Sequence, residues 1–180
     1  MDDVIIQGIS ILGMTSNVLS FQQKTQRGIL LFQLVGGALF CIHFILIGAI
    51  VGGLLNGLAV VRALIYSNRE KMRAESIYWV LGLSLSFIAV YALNFTLLGG
   101  EPTLKNFIIE CLPVIGMIAA TIGMSLGSAR STRLSSYVCS PCWLVYNIVN
   151  LSIGGIICES INMVSITVGT IRYDLKGKKQ

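Results

Sequence analysis

Residues Gly28–Val61 read GILLFQLVGGALFCIHFILIGAIVGGLLNGLAVV, 34 residues without an Asp, Glu, Lys or Arg. About 20 apolar residues carry a helix across ~30 Å of hydrocarbon. The run is therefore too long for one crossing and needs a tight reversal to make two. Gly48 and the Gly52-Gly53 pair offer one, because glycine adopts the backbone angles a sharp turn demands. The stretch predicts two membrane helices joined by a hairpin. Leu134–Ile171 repeats the pattern: 38 residues with one acid, Glu159, divided at Leu151-Ser-Ile-Gly-Gly155.

Outward from these hairpins, Val4–Gln23, Ser76–Gly100 and a run with its core at Cys111–Ala129 add three charge-free spans. The count is seven, grouped three, one, three. The two groups of three also align. Ile5–Arg69 lies on Ile108–Arg172 without a gap at an offset of 103 residues, with twelve identical pairs that include Gly13/Gly116, Arg27/Arg130, Gly52/Gly155 and Arg69/Arg172. So narrow a composition yields roughly half as many by chance. The weight rests on register, since loop charges, Gly-rich turns and intramembrane polar residues recur at that offset. Two copies of one unit is an architecture of carriers, whose halves rock about a central site.

Composition agrees. The 180 residues are 54% hydrophobic and 12% charged, with mean hydropathy +0.80, whereas a soluble domain is about 25% charged. Such a chain cannot clothe a water-facing surface. The first residues, Met-Asp-Asp, lack the basic segment of a cleaved signal, so the first helix is read as retained. The net charge of +5 is divided among short loops, which excludes a nucleic-acid patch and makes it a topology signal. With the N-terminus outside, eleven of the thirteen basic residues fall in inside loops: Lys24 and Arg27; Arg69, Lys71 and Arg73; Arg130 and Arg133; Arg172, Lys176, Lys178 and Lys179. Lys105 alone lies outside, and Arg62 lies within a span. The predicted fold class is all-α integral membrane: seven transmembrane helices, N-terminus out and C-terminus in. Two parallel three-helix repeats, 1–69 and 101–180, flank an inverting linker helix in 70–100, and the second repeat ends in a basic cytoplasmic tail.

Polar groups inside the membrane are costly, and so they are the first places to look for function. Asn56 and Glu159 are repeat mates in the third helix of each unit, and Asn162 lies one turn from Glu159 on the same face. Phe40 and Trp143 are mates as well, each 16 residues before its polar residue, a spacing that folds an aromatic back on the polar group across a hairpin. His43 and Tyr146 form a third pair. An aromatic face beside an amide or carboxylate suits a small polar solute with one flat apolar side, such as a sugar or nucleoside. The competing readings are packing aromatics, an interhelical Asn bond and a His bonded to a nearby carbonyl. Arg62 either snorkels inward or pairs with an acid across the bundle. Asn147 and Asn150 either cap the hairpin or face the cavity. Of the five cysteines, Cys139 and Cys142 have metal or redox spacing, but there is no second such pair and no nearby His, so they read as packing residues around Pro141. No nucleophile–base set, zinc motif or phosphate loop is present, so no enzyme, metal or cofactor is expected.

At Leu112-Pro-Val-Ile-Gly116, Cys142-Trp143 with Asn147, Ser152-Ile-Gly-Gly155 and Glu159, the chain resembles the YgjV family of bacterial inner membrane proteins over nearly its whole length. Tyr146 stands where that family has His. The wider pattern resembles the SWEET, PQ-loop and PnuC-type carriers, whose three-plus-one-plus-three helices carry sugars, vitamins or amino acids. In SWEET carriers an aromatic and an Asn from each repeat line the pocket, and by this resemblance Phe40, Trp143, Asn56 and Glu159 take those positions. The Pro-Gln dipeptide is absent, Ser10 is the mate of Pro113, and Glu replaces one Asn. These departures move the expected solute from a sugar toward a cationic or proton-coupled one. The resemblance implies a carrier or facilitator in the bacterial inner membrane. The alternative is a non-transporting receptor or scaffold of the same fold. Expected partners are the lipid bilayer and an unidentified small polar solute, with assembly into a homo-oligomer left open.

Overall fold

The computed structural model describes residues 3–48, 50–149 and 153–175. Among them the chain forms seven α-helices and no strand: α1 Asp3–Ser20, α2 Gln26–Leu46, α3 Ile50–Ser67, α4 Ile77–Thr96, α5 Leu104–Ser125, α6 Ala129–Val149 and α7 Ile153–Gly169. A π-helical turn, Thr170–Leu175, continues α7. Thr25, Ser76 and Thr103 cap α2, α4 and α5, each accepting a hydrogen bond from a backbone N–H of the first turn, which satisfies one of the donors a helix start leaves open.

The first hairpin turns at Gly48, where φ is +79°. Gly52 and Gly53 lie inside α3 and not in the turn. A Cβ on Gly53 would sit 3.0 Å from Ile45 Cγ1, so this glycine serves the close packing of α3 on α2. Two boundaries differ from the sequence reading. The fifth helix starts at Leu104, a turn and a half or more before the expected core at Cys111, because Thr103 caps it; Lys105 and Glu110 are therefore helical. The sixth starts at Ala129, so Arg130 and Arg133 belong to a helix and not to a loop. The second hairpin, Asn150 and the basic residues Lys176, Lys178 and Lys179 lie outside the described residues, apart from the start of α7.

Helices α2, α3, α4 and α5 are each long and apolar enough to cross a membrane. α6 is not, and its residues show why: Leu134, Val138, Val145 and Ile148 point outward while Arg133, Ser136, Ser140 and Asn147 are buried. Polar groups inside and apolar groups outside invert the pattern of a water-soluble helix. α2 packs between α1 and α3, α6 between α5 and α7, and α4 against α3 and α5. The contacts α1 with α7, α2 with α6 and α3 with α5 join the two groups. Leu55, Tyr66, Phe87, Met117 and Met124 belong to the hydrophobic core. Gly13 lets α1 approach α2, where a Cβ would meet Phe40 at 3.2 Å, and Gly116 lets α5 approach α6, where a Cβ would meet the Cys139 Cα at 3.1 Å; small residues allow such close helix contact in a membrane.

The side-chain hydrogen bonds between the α1–α3 group and the α5–α7 group lie, among the described residues, toward the end that holds the α1–α2 loop. Gln22 Nε2 donates to the Ser165 carbonyl at 2.8 Å, and Ser165 Oγ donates to the Val18 carbonyl at 2.6 Å. Gln26 Nε2 donates to the Met124 carbonyl at 2.7 Å. Arg133 Nη1 donates to the Gln23 carbonyl at 2.9 Å while its other nitrogens hold Asp174 at 2.9 and 2.6 Å. At the opposite end a cleft of about 260 Å³ separates Gly48, Ile50, Val51 and Gly52 from Leu98, Glu110 and Tyr146.

Candidate functional site: a cavity between the helix groups

A cavity of about 140 Å³ lies where the two groups meet, and its wall draws on α1, α2, α3, α5, α6 and α7. Phe40, Asn56, Trp143, Glu159 and Asn162 all line it. Glu159 comes from the first half of α7 and shares the wall with Ser140 of α6. Asn162 Nδ2 donates to Glu159 Oε2 at 3.4 Å, one turn along the same helix. Asn56 Nδ2 is turned back to the Gly52 carbonyl at 2.9 Å. That bond leaves the Asn56 amide oxygen on a helix whose face meets the cavity. Phe40 stacks on Phe44 with ring centroids 6.0 Å apart, and both line the wall; Trp143 stands in the wall on α6.

His43 and Tyr146 are placed outside this wall. Each sits one turn beyond its aromatic neighbour. His43 Nδ1 lies 3.1 Å from the Ile6 carbonyl, which ties α2 to α1. Tyr146 lines the end cleft instead, together with Glu110. Arg62 joins the cavity wall and makes no ion pair among the described residues: its Nη1 donates to the Met117 carbonyl at 3.0 Å and lies 3.4 Å from Thr121 Oγ1. Asn147 also lines it, packed so closely on α7 that a Cβ on Gly155 would meet its amide. Cys139 lines the cavity, and both it and Cys142 are free thiols.

The wall also holds groups the sequence reading passed over: Asn17, Gln33, Ser136, Ser140 and Cys158. A signal for two of them was present. Gln33 and Ser136 stand 103 residues apart, as do Asn56 and Glu159. Serines in apolar helices are common packing residues, and this hid the pair.

The exterior is apolar, and the cavity wall sets polar side chains among apolar and aromatic ones. Residues 4–176 match the Imp-YgjV family of bacterial inner membrane proteins. The chain belongs to this family. It is 25% identical over 171 residues to the inner membrane protein YgjV of Escherichia coli strain K12, an alignment covering 94% of this chain and 84% of that one. No solved structure matches the chain. As a member of the Imp-YgjV family with several helices apolar enough to span, it is a multi-pass inner membrane protein. In that setting the cavity's amides, hydroxyls, carboxyl and guanidinium are withdrawn from lipid.

Proposed function

We propose that the protein is a non-enzymatic carrier of a small polar solute, with seven spans in two parallel three-helix repeats and the N-terminus outside. The observation that carries this reading is the make-up of the cavity wall. Sixteen of the 21 described residues that line it form pairs 103 apart. Gln33/Ser136 and Gly37/Ser140 face one another in number along α2 and α6, and Phe40/Trp143 and Phe44/Asn147 follow one and two turns on. Asn56/Glu159 and Ala59/Asn162 come from α3 and α7, and Asn17/Ala120 and Phe21/Met124 from α1 and α5. The helix boundaries agree: α2 spans Gln26–Leu46 and α6 spans Ala129–Val149, the same limits at that offset. A site built from equivalent residues of two halves is what a rocking carrier needs. The hydrogen bonds between halves at one end and the cleft at the other support a form closed on the basic, cytoplasmic side.

The test needs no solute. Ala59→Cys, in a chain whose five native cysteines are replaced by alanine, puts one thiol in the cavity wall. A membrane-impermeant thiol reagent should label it from outside in right-side-out vesicles and from inside in inverted ones. Labelling from one side only, or from neither, would favour the receptor or scaffold and remove the carrier reading.

A further inference from the structure

We infer that Arg62 anchors the carboxylate of a small monoanionic or zwitterionic solute, an inference that rests on the carrier reading above and names its solute class. The protein holds two buried arginines, and they differ in one respect. Arg133, 1% exposed, has its own carboxylate in Asp174. Arg62, 6% exposed, lines the cavity and has no ion pair among the described residues. Its Nη1 has the Met117 carbonyl and Thr121 hydroxyl, its guanidinium lies 5.9 Å from the Phe87 ring centroid, and its Nε has no partner among the described residues. A guanidinium keeps its charge, and a buried charge without a counter-ion is among the costliest arrangements a protein can hold. Its planar fork of donors fits a carboxylate better than any neutral oxygen.

The rest of the wall narrows the class. A cavity of about 140 Å³ is close in size to an apolar cavity of ~150 Å³ that holds one benzene. A single ring or a short chain fits, and a nucleoside or disaccharide does not. Phe40 and Trp143 supply apolar faces for such a ring. Glu159 shares the wall, so a second negative charge on the solute would be repelled, which disfavours phosphate and dicarboxylates. Glu159 and the Gln33 Oε1 atom, which has no partner among the described residues, instead accept from a donor such as an ammonium or amide. The solute is thus a compact monocarboxylate with a hydrogen-bond donor, and the cation expected from Glu159 alone becomes one end of it.

The experiment uses the full chain in nanodiscs and follows thermal unfolding and equilibrium binding with five probes: L-proline, cyclopentanecarboxylate, ribose, inorganic phosphate and chloride. Binding to the native state raises apparent stability. L-proline and cyclopentanecarboxylate should both bind and compete, with L-proline the tighter. Arg62→Gln should weaken both at least tenfold, and Arg62→Lys, which keeps the charge and loses the fork, several-fold. If Arg62→Gln does not fold, Arg62→Lys decides. Binding of ribose alone, of phosphate or chloride alone, carboxylate binding indifferent to both substitutions, or no response to any probe would each overturn the inference. Two-sided labelling at position 59 reports separately on the carrier reading, so the two can fail independently.

Discussion

Arg133 is held by a two-pronged bond to Asp174, a third bond to the Gln23 carbonyl and the Tyr173 ring 5.5 Å from its guanidinium carbon. Removing one partner of a buried pair leaves a bare charge, which costs about 3–5 kcal/mol. Asp174→Ala should therefore lower the unfolding temperature of the purified protein sharply, while replacing the exposed Glu75 by Ala, which frees a half-buried Arg69 3.7 Å away, should change it little. Thermal unfolding in detergent compares the two, and equal effects would show that the Asp174 pair adds nothing. At this scale the sequence was unevenly readable. Asn56 and Glu159 stood out because a polar group in an apolar run is conspicuous. Arg133 was read as a loop residue, since nothing in its own neighbourhood names a partner 41 positions away. Arg62 was singled out, but whether an acid reached it depended on the packing of α3 on α5.

Helix contacts give the next scale. Gly116 faces the backbone of α6, with Cys139 Cα 3.1 Å and its carbonyl 3.2 Å from where a Cβ would stand, whereas Gly8 has nothing within 4 Å. Backbone atoms cannot move aside as a side-chain tip can. Gly116→Leu should thus cost about 1–3 kcal/mol through overpacking, and Gly8→Ala should leave stability unchanged or raise it by up to ~1 kcal/mol. Thermal unfolding again reads both, and a neutral Gly116→Leu would show that α5 and α6 can part freely. The existence of each helix was legible from charge-free runs and turn glycines. Their ends were less so. The Thr103 cap lets α5 run through Lys105 and Glu110, so a charge-free run understates its length, and α6 hides its polar residues inward, so average hydropathy misjudges it.

For the whole molecule, the distribution of basic residues and the hydrogen bonds between halves point to the same end. Lys24, Arg69, Lys71 and Arg73 lie in the turns, and Arg27 in the first turn of α2, beside the bonds of Gln22, Gln26 and Arg133. Positive charge is retained on the cytoplasmic side. A reporter fused after Gln180 that is active only in the cytoplasm should be active, and one active only in the periplasm should be silent. The reverse pattern would overturn the orientation and the direction of closure together. The 103-residue offset between like residues could be read from sequence because it lies in the spacing alone. The cavity could be anticipated only in outline, because which mates meet depends on how the halves dock, and that follows from long-range packing.

Cys139 and Cys158 stand on α6 and α7 in the wall of the cavity, and both are free thiols. Thiols capture soft metals and small electrophiles, and an adduct on either would occupy room in a space of about 140 Å³. A mercurial or maleimide small enough to enter would act as a plug. A resident solute would shield both sulfurs, so the pace of alkylation in the native chain becomes a footprint of occupancy that requires no added label.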